Sequence, residues 1–92
     1  MSDIKQRFDA AVDKVRNAPS DGGFKPSQEF QLKMYGLYRQ AIDGDVTGKK
    51  PGMLNPVSRY KWMAWKENEG MSREDAMAAY VAEVDKIEAE YG

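Results

Sequence analysis

Tyr35 and Arg39 stand four residues apart, a spacing that puts both side chains on one face of a helix. A phenol hydroxyl and a guanidinium on adjacent turns can converge on a phosphate, the guanidinium through its planar fork of donors. Lys61 lies among Tyr60, Trp62 and Trp65 and adds a point charge, and Tyr80 offers a hydroxyl on a largely apolar stripe. Together these residues suit anion binding. Each taken alone also fits a structural role: a tyrosine on an apolar stripe packs a core, tryptophans fill interiors, and a lysine between aromatics snorkels over them. The chain has no histidine and no cysteine. That removes the commonest general base, the commonest zinc ligand, the thiol nucleophile and any disulfide framework. No catalytic residue and no metal site are therefore expected.

Charge is unevenly distributed around a net of −1. Residues 1–32 balance, with five basic and five acidic side chains. Residues 33–66 carry seven basic side chains against Asp43 and Asp45, and residues 67–92 carry Arg73 and Lys86 against eight acids. A near-neutral total argues against a general nucleic-acid binder. A positive middle suggests a compact anion site, although two solvated helix faces of opposite sign would give the same pattern.

The elements that must position these residues are helical, because the apolar spacing is helical throughout. Ile4, Phe8, Ala11, Val12 and Val15 form one stripe, with Ser2 as N-cap and Asp3 in the first turn. Ala18 to Gly23 ends that helix in a loop. Ser27 caps a second helix, whose apolar lines run through Phe30, Met34, Leu37 and Ala41 and through Leu32, Tyr35, Tyr38 and Ile42. Two lines predict a central helix covered on more than one side. Gly44 to Pro56 reads as a loop, and a third helix over about 57–69 carries Tyr60, Trp62, Ala64 and Trp65, with Gly70 suited to its C-terminal cap. Ser72 to Asp75 has capping-box spacing before a fourth helix burying Ala76, Tyr80, Val84, Ile87 and Tyr91. The expectation is one all-α domain over residues 1–92, a four-helix bundle. No stretch approaches the roughly 20 apolar residues that span a bilayer. The opening residues have no signal-peptide pattern, and the lack of cysteine fits a cytoplasmic protein.

The stretch YGLYRQAIDGDVTGKKPGML, followed by YKWMAWKENEGMSREDAMAAYV, resembles the acyl-CoA-binding protein family. The matching motifs are Tyr35, Tyr38, Arg39, Gln40 and Ala41; Gly44-Asp45-Val46; Lys50-Pro51-Gly52; Lys61, Trp62 and Trp65; and Ser72, Ala76, Met77, Ala79 and Tyr80. They occur in order at the family's spacing from about Phe8 to Gly92.

The resemblance implies an up-down-down-up bundle with a bowl-shaped site for long-chain fatty acyl-CoA, held without catalysis, cofactor or metal. It implies that Tyr35, Arg39 and Lys61 meet the 3′-phosphate of the CoA adenosine and that Tyr80 lines the same site. Arg16 and the span Tyr35, Gly36, Leu37, Tyr38 and Arg39 are implied to lie near the nucleotide. Phe8, Val15, Leu32, Tyr38, Gln40, Trp62 and Val84 are implied to hold the helices together. The chain departs from the family in three places. Arg39 replaces the usual lysine, Val57 stands where many members carry lysine at the entry to the third helix, and the loop Pro19 to Lys25 is longer than usual. The partners implied are long-chain acyl-CoA itself, with transient contact to acyl-CoA-using enzymes or membrane surfaces, for a monomeric cytoplasmic carrier. A helical module gripping a partner protein's helix through its Trp/Tyr surface is the competing class, and a thioesterase, disfavoured without histidine, is a third.

Overall fold

The computed structural model describes residues 3–17 and 26–91, excluding the side chain of Tyr91. Ser2 and most of the first loop lie outside the described residues. Four helices account for the fold: α1 (Asp3–Arg16), α2 (Gln28–Asp43), α3 (Pro56–Lys66) and α4 (Arg73–Tyr91). No strand occurs among the described residues.

Local chemistry sets the helix ends. The Phe30 amide donates to Ser27 Oγ at 3.0 Å, and the Asp75 amide donates to Ser72 Oγ at 3.0 Å, so both serines act as N-caps. Pro56, whose missing N–H costs nothing in a first turn, opens α3. Gly44 ends α2 at φ +77°, where a side chain would be strained, and donates its N–H to the Gln40 carbonyl. The third helix is shorter than its pattern predicts. It stops at Lys66, and hydrogen-bonded turns carry the chain on to Gly70 at φ +93°.

Contacts along the helices fix their directions. Lys33, early in α2, pairs with Glu83 in the middle of α4, whereas Gln40, late in α2, reaches Met71 just before α4. These two helices are antiparallel. Tyr35 lies beneath Lys61 and Gly44 meets Trp65, so α2 and α3 run the same way. Ile4 shares a cleft with Met77 and Lys14 pairs with Glu88, so α1 and α4 also run together. The bundle is thus up-down-down-up, with α2 packed on both α3 and α4, and α1 packed on α4.

The core lies between α1, α2 and α4, built from Phe8, Ala11 and Val12, then Met34, Leu37 and Ala41, then Ala76, Tyr80, Val81 and Val84. Phe8 anchors it, with its ring 5.2 Å from Tyr80 edge-on and 6.1 Å from Tyr38. Val15 and Ile42 depart from the predicted stripes. Val15 is 46 % exposed and Ile42 44 %, each in the last turn of its helix. Tyr60 is likewise exposed: α3 is covered only by α2, so a single face suffices for it.

Candidate functional site

The central helix presents the candidate residues in two groups on either side of its exposed ridge. At 100° per residue, Tyr38 lies about 60° round α2 from Tyr35, and Arg39 about 40° the other way. Tyr38 therefore turns toward α1 and α4, and Arg39 toward α3.

The α3-side group contains Tyr35, Arg39, Lys61 and Trp65. The Lys61 ammonium sits 5.4 Å from the centre of the Tyr35 ring, and the Arg39 guanidinium 4.6 Å from that of Trp65. Aromatic faces thus support both cations without neutralising them. Trp65 is itself buried and held by its indole N–H, which donates to the Gly44 carbonyl at 2.8 Å. Arg39 also donates to Asp43 Oδ2 at 2.8 Å, a pair on the same helix with both side chains partly exposed. Its Nε is buried and donates to no described group. Lys61 has no ion pair with any described residue, and its ammonium is exposed. The group presents two cations and a phenol on the α2–α3 side of the bundle.

The second group joins α1, α2 and α4. Arg16 donates to the Tyr38 hydroxyl at 3.3 Å, and Tyr80 lies behind them, almost wholly buried. Burial raises the Tyr80 phenol above its ordinary pKa; the neighbouring Tyr38 adds to this and Arg16 opposes it. Tyr80 therefore stays a neutral hydroxyl across the physiological range. Gly36 and Leu37 lie elsewhere: Leu37 is in the core, and Gly36 faces α3. A Cβ on Gly36 would lie 2.8 Å from the Ala64 carbonyl carbon, so the glycine allows the close α2–α3 approach that sets Arg39 over Trp65.

A latch centred on the buried Gln40 joins α2 and its following loop to the turn before α4. Gln40, 0 % exposed, donates its Nε2 to Asp45 Oδ1 at 2.9 Å and to the Met71 carbonyl at 2.8 Å. Asp45 Oδ1 also accepts from the Gly70 amide at 2.8 Å. The Gly70 N–H first, and Gln40 second, hold the Asp45 carboxyl below its ordinary pKa. The loop after α2 is thereby tied to the turn before α4. Trp62, partly buried, adds its indole N–H to the Thr47 carbonyl at 3.3 Å.

Of the two departures that fall within the described residues and bear on phosphate, Val57 is 62 % exposed at the start of α3. Arg59 turns back to the Pro51 carbonyl at 3.3 Å. Asp43 and the ring of Trp65 beneath Arg39 were not singled out as site neighbours from sequence. The four-residue spacing of Arg39 and Asp43 signals the first, whereas the second depends on a crossing between helices. No cluster able to hold a metal occurs among the described residues.

The molecule is a small four-helix module that carries an aromatic-backed pair of cations on its α2–α3 side. The family described as Acyl CoA binding protein matches residues 5–84, and the chain belongs to that family. It is 49 % identical over 81 residues to acyl-CoA-binding domain-containing protein 5 of Xenopus tropicalis, covering 88 % of this chain and 18 % of that protein. Acyl-CoA-binding domain-containing protein 4 of Homo sapiens is 43 % identical over 85 residues, covering 92 % of this chain and 32 % of the relative. The chain thus spans a third or less of these curated relatives. Among solved structures, acyl-CoA-binding protein 2 of Oryza sativa superposes with a TM-score of 0.84 at 40 % identity, over 95 % of this chain and 90 % of that one. The Moniliophthora perniciosa acyl-CoA-binding protein gives 0.81 at 39 %, over 99 % and 95 %.

Proposed function

We propose that the chain binds long-chain acyl-CoA non-covalently and serves as a monomeric cytoplasmic carrier, without catalysis, cofactor or metal. The observation that carries this reading is the pair of aromatic-backed cations, Arg39 over Trp65 and Lys61 over Tyr35, in a chain of this family. In this reading Tyr35, Arg39 and Lys61 receive the 3′-phosphate, and Arg16, Tyr38 and Tyr80 flank the nucleotide. Arg39 exchanges Asp43 for the ligand, because a phosphate dianion is the stronger acceptor. Cargo passes to acyl-CoA-using enzymes or to membrane surfaces.

Energetics divide the work between head and tail. Burying roughly ten methylenes yields about 8 kcal/mol, whereas nanomolar affinity needs about 12 kcal/mol net. Association and chain ordering cost several kcal/mol more. Contacts to the phosphates must make up the difference.

Calorimetric titration tests the reading. One-to-one saturable binding of palmitoyl-CoA, weaker for CoA and weakest for palmitate, is expected, and equal affinity for palmitate and palmitoyl-CoA contradicts the head-group half. Bound thioester should also release free thiol no faster than the protein-free control, because no histidine or cysteine is available to activate water or attack the carbonyl.

A further inference from the structure

Seven large hydrophobic side chains are exposed among the described residues, and five of them, Met53, Leu54, Val57, Tyr60 and Met63, fall within residues 53–63. The two most exposed are neighbours, Met53 at 82 % and Leu54 at 96 %. They occupy the corner of a tight turn closed by the Asn55 amide donating to the Gly52 carbonyl at 3.1 Å. Corner positions of turns normally carry glycine, proline or small polar residues. Two large apolar side chains held there in water have an energetic cost and need a partner.

The surrounding charge has one sign. Residues 46–66 contain Lys49, Lys50, Arg59, Lys61 and Lys66 and no acidic residue. Lys49 and Lys50, three to five residues before the tip, are exposed and form no ion pair with any described residue. An apolar tip flanked by unneutralised lysines complements a surface that is anionic at its headgroups and apolar beneath them. The shape also selects the partner. Met53 and Leu54 form a convex point, which a fluid bilayer accepts without a matching cavity, whereas a protein partner would need a groove cut to fit.

We propose that the turn Gly52–Asn55, with the first part of α3, docks the protein on anionic lipid membranes, Met53 and Leu54 entering the interface and Lys49 and Lys50 meeting the headgroups. The contact deepens the membrane part of the carrier reading above and relies on that reading only for its purpose. Docking would bring the rim of the Lys61 group to the bilayer surface, where an amphiphilic ligand enters or leaves.

The test uses sedimentation with phosphatidylcholine vesicles, with and without about one third phosphatidylserine, in the absence of any acyl-CoA. Binding is expected to the anionic vesicles only and should weaken as salt rises. Lys49→Ala and Lys50→Ala should each lower partitioning roughly fivefold, the equivalent of about 1 kcal/mol per cation near an anionic surface. Met53→Asp with Leu54→Asp should abolish binding while leaving the circular dichroism melt unchanged, since both positions are solvent-facing. Because the chain has no cysteine, Leu54→Cys gives a unique site for an environment-sensitive fluorophore. That probe should brighten and shift to the blue on anionic vesicles, and the same probe at Glu88→Cys on α4 should not. Absence of vesicle binding, indifference to the double aspartate variant, or a probe at position 54 that stays in water would overturn the proposal. The first of these would reassign the patch to a protein partner. Palmitoyl-CoA titration of the same variants reports separately on the ligand reading.

Discussion

Residues 46–66 and helix α4 carry charges of opposite sign and use them differently. Three of the six acids of α4 are engaged in framework contacts: Asp85 with Arg7, Glu88 with Lys14, and Glu83 with both Lys33 and Lys86. They tie α4 to α1 and α2. The cations of residues 46–66 find no carboxylate in their own segment, and only Lys66 reaches one just beyond it, Glu69 at 2.7 Å. Lys61 rests on an aromatic ring, and so does Arg39 on the facing helix. Exposed ion pairs contribute little to stability, so the α4 pairs chiefly satisfy charge. Lys61, backed by a ring and without an acidic partner among the described residues, keeps its charge available for a ligand, whereas Arg39 shares its charge with Asp43. The difference between the two regions is therefore one of availability and not of charge density.

The largest effect should come from removing the surface on which that availability rests. Trp65→Ala deletes a buried indole and should cost about 3–5 kcal/mol of unfolding free energy, read by denaturant titration. It should also weaken ligand binding, because Arg39 loses its support. Next, Lys61→Ala and Arg39→Ala should each weaken palmitoyl-CoA binding by about 1.5–3 kcal/mol, the range for hydrogen bonds to charged groups. Their melting temperatures should hardly move. If either variant melts as Trp65→Ala does, that cation belongs to the framework and the comparison fails.

The latch at Asp45 gives a pH-dependent outcome. Its carboxyl is held below its ordinary value of 3.8 by the Gly70 amide and Gln40. A depressed folded pKa means that the unfolded chain takes up a proton at higher pH than the folded one. The stabilisation is thus complete above the ordinary value and is lost as pH falls from there through the folded value. Asp45→Asn should show a flatter loss of melting temperature below about pH 4 than the native chain. Equal acid profiles would show that Asp45 adds nothing to the joint.

The smallest effects should come from the ion pairs. Lys14→Ala should lower stability by about 0.2–1 kcal/mol, as for any exposed pair. Asp43→Asn frees Arg39 from its helical partner and should raise palmitoyl-CoA affinity about twofold, the equivalent of 0.3–0.5 kcal/mol. A fall in affinity would mean that Asp43 positions the guanidinium and does not compete for it.

Much of this arrangement was legible in the sequence because it is local. Ser27 and Ser72 announce helix starts through spacing alone, and the double apolar line on α2 correctly implies a helix covered on two sides. Arg39 and Tyr35 share a face by their four-residue separation. What was not legible depends on where one helix ends against another. Val15 and Ile42 fit the helical period but stay exposed in the last turns of their helices, which periodicity alone does not encode. The ring under Arg39 depends on the close approach at Gly36, which no periodicity encodes. The loop holding Met53 and Leu54 is read from its glycines and prolines, but their solvent-facing position at a turn corner is not encoded by any periodicity.

The most direct test of the central claim, that aromatic-backed cations read the ligand's phosphate, is a crossed calorimetric titration. Native protein, Arg39→Ala and Lys61→Ala would each be titrated with palmitoyl-CoA and with its 3′-dephospho ester. Native protein should prefer the full ligand, and each substitution should erase most of that preference while changing affinity for the dephospho ester little. If the variants lose as much affinity for the dephospho ester as for palmitoyl-CoA, the cations do not meet the 3′-phosphate and the assignment is wrong.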